Sequence, residues 1–507
     1  NIRTQGGSYG LTKNEFQISR SLGDHFISGY TTIHAENGFR DHSAVTLSRS
    51  ALNARFILAD QTILSVNSAL SVMPRAKSPS SLTKSQLLEN PAQARDIFKA
   101  SDAGKQVTQG QLGLKLQHQL NNNWMFESSA YGILRDLRNP LPFAFIDLNR
   151  KAAGLRNVVH TKKGNFTIAV GAEMKMQFDE RANFNTVDGA RGDEISLQQD
   201  ERVLNEAVFA KLGFRAGSWN ISGGIRLDAL QFNTNDRLLT NEDQSGSESF
   251  TSISPSFGVN YQFNRQTFFT NFSTAFEAPT TTELVNRPDG LGGFNSRLQP
   301  EQTRSIETGL RGRISSLRTS YDAALYAMWV DDLLLPFQIE GTDRTFFRNE
   351  GKSRHSGAEL VVETKLLQRL NILVNYNWTF AQFRAGNLDE LTLKGNRIPG
   401  VTPHRLFSEL QYQAKHFELS GGIRYVDSFY PDSENSINVD SYALIHAKAG
   451  FNQLAISESI FASPFIALNN LTDKTYSSSI SVNAFGGRFF EPGADLNFEL
   501  GLSLTFK

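Results

Sequence analysis

Asp495-Leu-Asn-Phe-Glu-Leu-Gly-Leu-Ser-Leu-Thr-Phe-Lys507 alternates without a break. Leu496, Phe498, Leu500, Leu502, Leu504 and Phe506 share one face. Asp495, Asn497, Glu499, Gly501, Ser503, Thr505 and Lys507 share the other. Successive side chains of an extended chain point to opposite sides, so a period of two over this length is a strand. Its length matters as much as its period. At ~3.4 Å per residue, about ten residues make a tilted path through a bilayer core, whereas strands of ordinary soluble proteins run to about five or six.

The same pattern recurs upstream. Leu370, Ile372, Val374, Tyr376, Trp378 and Phe380 oppose Asn371, Asn375, Asn377 and Thr379. Trp219, Ile221, Ile225 and Leu227 oppose Asn220, Ser222, Arg226 and Asp228, and Phe417, Leu419, Ile423 and Tyr425 oppose Glu418, Ser420 and Arg424. Phe268, Phe272 and Phe276 oppose Thr267, Asn271 and Ser273, with Phe269 intruding on the polar face. Short turns at 121–123, 162–165, 216–218, 264–265 and 415–416 alternate with long polar loops near 74–104, 179–196, 234–249, 278–300 and 385–401. Short turns on one rim and long loops on the other mark an outer-membrane barrel. The expected fold is all-β: a transmembrane antiparallel up-and-down β-barrel of about 22 strands, the size of outer-membrane transporters with a plugged lumen. One barrel domain is expected over residues 1–507. Trp124, Trp219, Trp329, Trp378, Tyr412 and Tyr425 fall at or near strand ends, where an interfacial girdle needs them.

Composition narrows the function. Lys+Arg and Asp+Glu are both 51, so the formal charge is zero, against the basic excess of a nucleic-acid binder. With no Cys there is no disulfide framework, thiolate metal site or cysteine nucleophile. No apolar run approaches the ~18 residues of a spanning helix, but one-faced strands average out as polar in a hydropathy scan. The nine His are scattered without His-x-x-x-His spacing. Asp331-Asp332 reads as a solvated strand–loop junction, and Gly290-Leu-Gly-Gly293 lacks the strand-to-helix context of a nucleotide loop. No catalytic, metal or cofactor site is expected. Asn1 reads as an internal position of a longer or processed chain.

Motifs cluster from residue 272 onward. Phe272-Ser-Thr-Ala-Phe-Glu-Ala-Pro-Thr-Thr-Thr-Glu-Leu284 precedes Leu298-Gln-Pro-Glu301 and Ile306-Glu-Thr-Gly-Leu-Arg311. Asn349-Glu-Gly351, Gly357-Ala-Glu-Leu360 and Ile398-Pro-Gly-Val-Thr-Pro-His-Arg405 follow, then Asn469-Asn-Leu-Thr-Asp-Lys-Thr-Tyr476 and Arg488-Phe-Phe-Glu-Pro-Gly493. In order and spacing these resemble the barrel of TonB-dependent outer-membrane receptors, with siderophore receptors as the nearest pattern. Thr472 stands where the family usually has Phe, and Lys507 follows the terminal aromatic.

The resemblance implies energy-coupled uptake of a scarce nutrient across the outer membrane of a Gram-negative bacterium, by base rate a ferric siderophore or similar iron chelate. It implies a plug domain and TonB-contact segment ahead of Asn1, absent from residues 1–507. It also implies as partners the TonB-ExbB-ExbD complex, the plug, and surrounding lipid and lipopolysaccharide. The alternative is a passive porin, typically of 16–18 strands. Alternation points Glu277, Glu307, Arg311, Arg313, Glu359, Glu363, Arg405, Glu409, Arg424 and Glu499 into the lumen, where the resemblance implies contact with the plug. Arg287, Phe294, Arg297, Phe143, Phe145 and Tyr430 are the candidate ligand contacts from loops and upper wall: Arg for anionic chelates, aromatics for planar groups.

Overall fold

The computed structural model describes all residues except 242, 286, 290–292, 339–344, 389–390 and 507, and omits the side chains of 241, 338 and 345. Among the described residues the main sheet has 23 strands: 22 staves and the two-residue piece Leu454–Ala455. The staves are β1 (Ile2–Gly7), β2 (Leu11–Leu22), β3 (His25–Glu36), β4 (Val45–Ala59), β5 (Thr62–Lys77), β6 (Gly104–Gln119) and β7 (Trp124–Leu141). Next come β8 (Ala144–Lys163), β9 (Phe166–Val187), β10 (Ala190–Ala216), β11 (Trp219–Asp236), β12 (Gly246–Phe263), β13 (Gln266–Glu277) and β14 (Glu301–Ile314). The last are β15 (Thr319–Gln338), β16 (Thr345–Leu367), β17 (Leu370–Ala385), β18 (His404–Gln413), β19 (Phe417–Val426), β20 (Tyr442–Phe451), β21 (Ile460–Asn469) and β22 (Asn497–Phe506).

Each stave pairs antiparallel with the next, and β22 returns to β1 through pairs such as Leu504 with Ile2 and Glu499 with Gly7. Closure removes the unpaired edges that would otherwise expose backbone donors and acceptors inside a bilayer. Register decides which face meets which solvent. Leu502 lies opposite Pro464 and Thr4, while Glu499 lies opposite Ala467 and Gly7. Leu496, Phe498, Leu500 and Phe506 are exposed on the outer face, as are Phe268, Phe272, Val170 and Leu212 on theirs. Trp124, Trp219 and Tyr412 ring the short-turn rim; Trp329, Trp378 and Tyr425 sit toward the long-loop rim. Trp219 packs on Tyr261 with ring centroids 4.5 Å apart.

Two expectations are corrected. Residues 179–196 are not a loop: β9 and β10, of 22 and 27 residues, continue to a tight turn at 188–189. Above the apolar band both faces of a hairpin meet water, so apolar alternation vanishes while the ladder continues. Asp331 and Asp332 lie inside β15 at a bulge, not at a strand–loop junction. Asp332 takes φ 58°, and Asp331 pairs with Arg304 at 2.5 Å and Lys352 at 3.3 Å. The Gly290–Gly293 stretch falls mostly outside the described residues, as does Lys507.

The helices α1 (Lys84–Glu89), α2 (Asp96–Ala100) and α3 (Thr281–Val285) all belong to long-rim connections. So do the hairpins Asn387–Leu388 with Leu391–Thr392 and Ser477–Ile480 with Phe490–Pro492.

Candidate functional site

The inner wall and the long-rim mouth carry the polar chemistry. All ten residues expected to line the lumen fall on the face opposite the exposed apolar side chains. Glu277 lies directly across from Glu301. Glu307 sits between Asn271 and Tyr326, and Glu363 between Ser320 and Leu373. Arg311 stands 5.4 Å from the ring centroid of Phe269, and Arg313 faces Ser320. Glu359 accepts from Asn377 Nδ2 at 3.1 Å, and Glu499 from Gln5 Nε2 at 3.4 Å. Glu409 lies 3.3 Å from His446 Nε2 across Gly422. A Cβ at Gly422 would sit 2.5 Å from that imidazole and 2.6 Å from the backbone oxygen of Ser408, so this glycine makes room for both a side chain and the neighbouring backbone. Arg405 donates to Thr402 Oγ1 at 3.2 Å, and Arg424 lies opposite Phe407 and Leu444.

Phe269, the residue that broke the polar pattern, is inward and buried over Gly309, whose added Cβ would meet its ring at 2.5 Å. Phe209 and Phe465 lie likewise over Gly171 and Gly501. Cations stand beside both: Arg156 at 4.9 Å from the Phe209 centroid, and Arg3 at 4.9 Å from that of Phe465.

A denser network lies on β8–β11, where the sequence offered no motif. Arg150 clasps Asp179 with two bonds of 2.8 and 2.7 Å, and Gln177 adds a third at 3.0 Å. Asp179 is 1% exposed. Arg181 reaches Glu201 at 3.7 Å, and Arg226 joins Asp228 at 2.9 Å to Glu173 at 3.5 Å. Each residue lies at an inward position of an alternating strand. The signal was there, but β-register pairing across four strands is not written locally.

At the mouth, the motifs close on one another. Pro279 cannot donate to the ladder, and β13 stops at Glu277. Thr280 and Glu283 form a reciprocal cap: Glu283 N donates to Thr280 Oγ1, and Thr280 N to Glu283 Oε2 at 2.6 Å. Helix α3 then seats Leu284, with Phe294 and Leu298, on inward-facing Phe232 and Phe250. Thr282 accepts from Arg181 of β9 at 3.2 Å. Asn349 donates to Gln299 O at 2.8 Å and to Asp332 O at 2.6 Å, tying this loop to the bulge of β15. Opposite, Leu87, Val439, Phe489 and Phe490 pack together, and Arg488 donates to Gln86 Oε1 at 2.7 Å. Asn470 holds Lys474 O and Ala494 O, and Tyr476 lies over Gly493. Burial lowers the pKa of Arg40 in the 37–44 loop, against Glu491 and Asp41.

The ligand candidates do not converge. Phe143 is 76% exposed at the β7–β8 tip, while Phe145 is buried. Phe294 is 6% exposed and belongs to the apolar seat of its own loop. Arg287 pairs with Asp289 at 2.6 Å. Arg297 donates its backbone N–H to Asn295 Oδ1, and Tyr430 accepts from Gly400 N at 2.8 Å. Among the described residues no group of three or more His, Asp or Glu could hold a metal ion.

The sequence model described as "TonB dependent receptor-like, beta-barrel" matches residues 53–471. The ferrioxamine B receptor of Salmonella typhimurium is 24% identical over 314 residues, covering 60% of this chain and 42% of that protein. The ferrichrome outer membrane transporter/phage receptor of Escherichia coli K12 is 27% identical over 238 residues, covering 45% and 29%. The chain thus matches less than half the length of these curated relatives. Among solved structures, the unliganded ferric citrate transporter FecA superposes with TM-score 0.83 at 14% identity, covering 99% of this chain and 78% of that one. The siderophore receptor PiuA of Acinetobacter baumannii gives TM-score 0.77 at 14% identity, covering 99% and 81%. The fold therefore extends over nearly the whole sequence. A closed barrel with an apolar outer face, matched along most of its length by a family of outer-membrane transport receptors, places this chain in the outer membrane, as a member of the TonB-dependent receptor β-barrel family.

Proposed function

We propose that residues 1–507 form the wall and mouth of an energy-coupled receptor that imports a ferric siderophore or similar iron chelate. The observation that carries this reading over a passive porin is the closed barrel of 22 staves, a size associated with plugged transporters, where porins have 16–18. The names of the relatives, ferrioxamine B receptor and ferrichrome transporter, favour iron chelates as cargo. In this reading a plug packs against inward charges such as Glu307, Arg311, Glu359 and Glu499, and TonB with ExbB and ExbD acts through it. Chelate meets the mouth first, at loop residues including Arg287, Arg297, Phe143 and Tyr430.

The test is uptake of radioactive iron by cells whose other chelate receptors are deleted, with ferrioxamine B as the first cargo. Saturable uptake that stops on loss of TonB or of the proton gradient is expected. Uptake that rises linearly with concentration and survives loss of TonB would make the protein a diffusion channel.

A further inference from the structure

The lipid-facing side of the wall has a groove in it. On β2 the outward residues Phe16 and Ile18 stand as one bank, and Leu52 of β4 with Leu70 of β5 stand as the other. Register sets small residues between them. Gly29 lies across from Ile18 and Leu52, and Thr31 lies across from Phe16 and Ser50. The groove measures about 780 Å³, within the roughly 300–1,000 Å³ of small-molecule sites. A Cβ placed on Gly29 would lie 3.7 Å from Leu52 Cδ1 and 3.8 Å from Ile18 Cγ2, so both banks reach the floor at van der Waals distance. Thr31 and Ser50 share a hydrogen bond of 3.0 Å, which pairs the two hydroxyls in surroundings without water.

A cation stands at the foot of this groove. Arg20 follows Ile18 on the outward face of β2, across from Ile27 and two residues before Leu22, where the stave ends in a short turn. Arg3, Lys13, Arg49 and Arg55 lie on the inner face, so among the described residues Arg20 is the only lysine or arginine at an outward position of β1–β4. Among the described residues it forms no ion pair. Short turns lie on the periplasmic side of such barrels. Arg20 is therefore at the headgroup level of the periplasmic leaflet, and the groove rises from it into that leaflet's hydrocarbon. The leaflet is built of glycerophospholipid. A chain lying between the banks gains contacts on three sides, and a guanidinium fork meets phosphate oxygens through paired charge-assisted hydrogen bonds.

We propose that this groove holds one phospholipid of the periplasmic leaflet, its phosphate on Arg20 and one acyl chain along Gly29, Thr31 and Ser50. Its test is native mass spectrometry of the receptor purified in detergent and titrated with dipalmitoyl phosphatidylglycerol. Wild type is expected to retain one lipid. Arg20→Gln should weaken retention roughly tenfold, and Arg20→Lys should recover part of the loss because it keeps the charge without the fork. Gly29→Leu, whose Cβ has room, fills the floor and should abolish retention. Arg202→Gln, on the outward face of β10, should change nothing. Heat-modifiable gel migration checks that each variant is a folded barrel, and the Arg20 series stands by itself if Gly29→Leu does not fold. Dipalmitoyl glycerol, which lacks the phosphate, should bind wild type and Arg20→Gln alike, and glycerol phosphate, which lacks the chains, should bind neither. Wild type that retains no lipid overturns the proposal. So does equal retention of phosphatidylglycerol by wild type and Arg20→Gln, or an equal loss in Arg202→Gln, which would mark a bulk charge effect. Retention of lipid A in preference to phosphatidylglycerol would overturn the choice of occupant and of leaflet.

Discussion

Glu499 and Leu500 are adjacent in the chain and face different surroundings: one meets Gln5 on the inner wall, the other is exposed outward. Arg placed at Leu500 or Leu502 should cost ~2–4 kcal/mol near the bilayer midplane, and Arg at Glu499 or Ser503 far less. Folding yield into lipid vesicles, read by heat-modifiable gel migration, checks this; equal yields would reverse the assigned faces. Asp179 makes the opposite kind of case. Removing it as Asp179→Ala leaves Arg150 on the wall without its counter-charge, at a cost of about 3 kcal/mol, the lower end for a broken buried pair because Arg150 is partly exposed. Urea unfolding in detergent measures it, and an unchanged midpoint would mean that water replaces the pair. The face of Glu499 was legible in the sequence because its neighbours alternate. The partner of Asp179 was not, because 29 residues and a turn separate it from Arg150.

At the scale of elements, the connection between β13 and β14 is a lid seated on the wall. Leu284 and Leu298 are almost wholly buried against Phe232 and Phe250. Leu284→Ala should cost the seat about 2–5 kcal/mol, freeing the loop without unfolding the barrel. Limited proteolysis should then cut within residues 278–300 much faster than in wild type, while gel migration of the barrel stays the same. Equal cleavage rates would show that the seat does not restrain the loop. The sequence marked this connection only as a long polar loop near 278–300; the Thr280–Glu283 cap and the seat of Leu284 came with the structure, although both act within a few residues of Pro279. The β9–β10 hairpin was read as a loop because its upper part has polar residues on both faces. A ladder whose two sides meet water needs no apolar alternation to persist. Phe294 was read as a ligand contact because its loop is long and polar; only packing reveals that its ring serves the loop itself.

For the whole molecule, closure of β22 on β1 makes a barrel whose inner wall carries charged side chains on many staves, interspersed with aromatic ones. Residues 1–507 reconstituted alone in a planar bilayer should conduct as a wide pore, with fluctuations as the long-rim loops move. A plug domain added ahead of Asn1 should lower that conductance. A barrel that stays closed by itself would show that its loops seal the mouth. The sequence by itself determined the strand character, the outward faces, the two unequal rims and the approximate stave number. Each follows from a period of two and from local turn chemistry, which need no knowledge of distant residues. Only the tertiary structure decided the Arg150–Asp179 clasp, the seat of Leu284 on Phe232, and the groove that Phe16, Ile18, Leu52 and Leu70 enclose above Arg20. These depend on register between staves and on loops meeting from far along the chain, and register is set by the sum of many pairings rather than by any residue's neighbours in sequence.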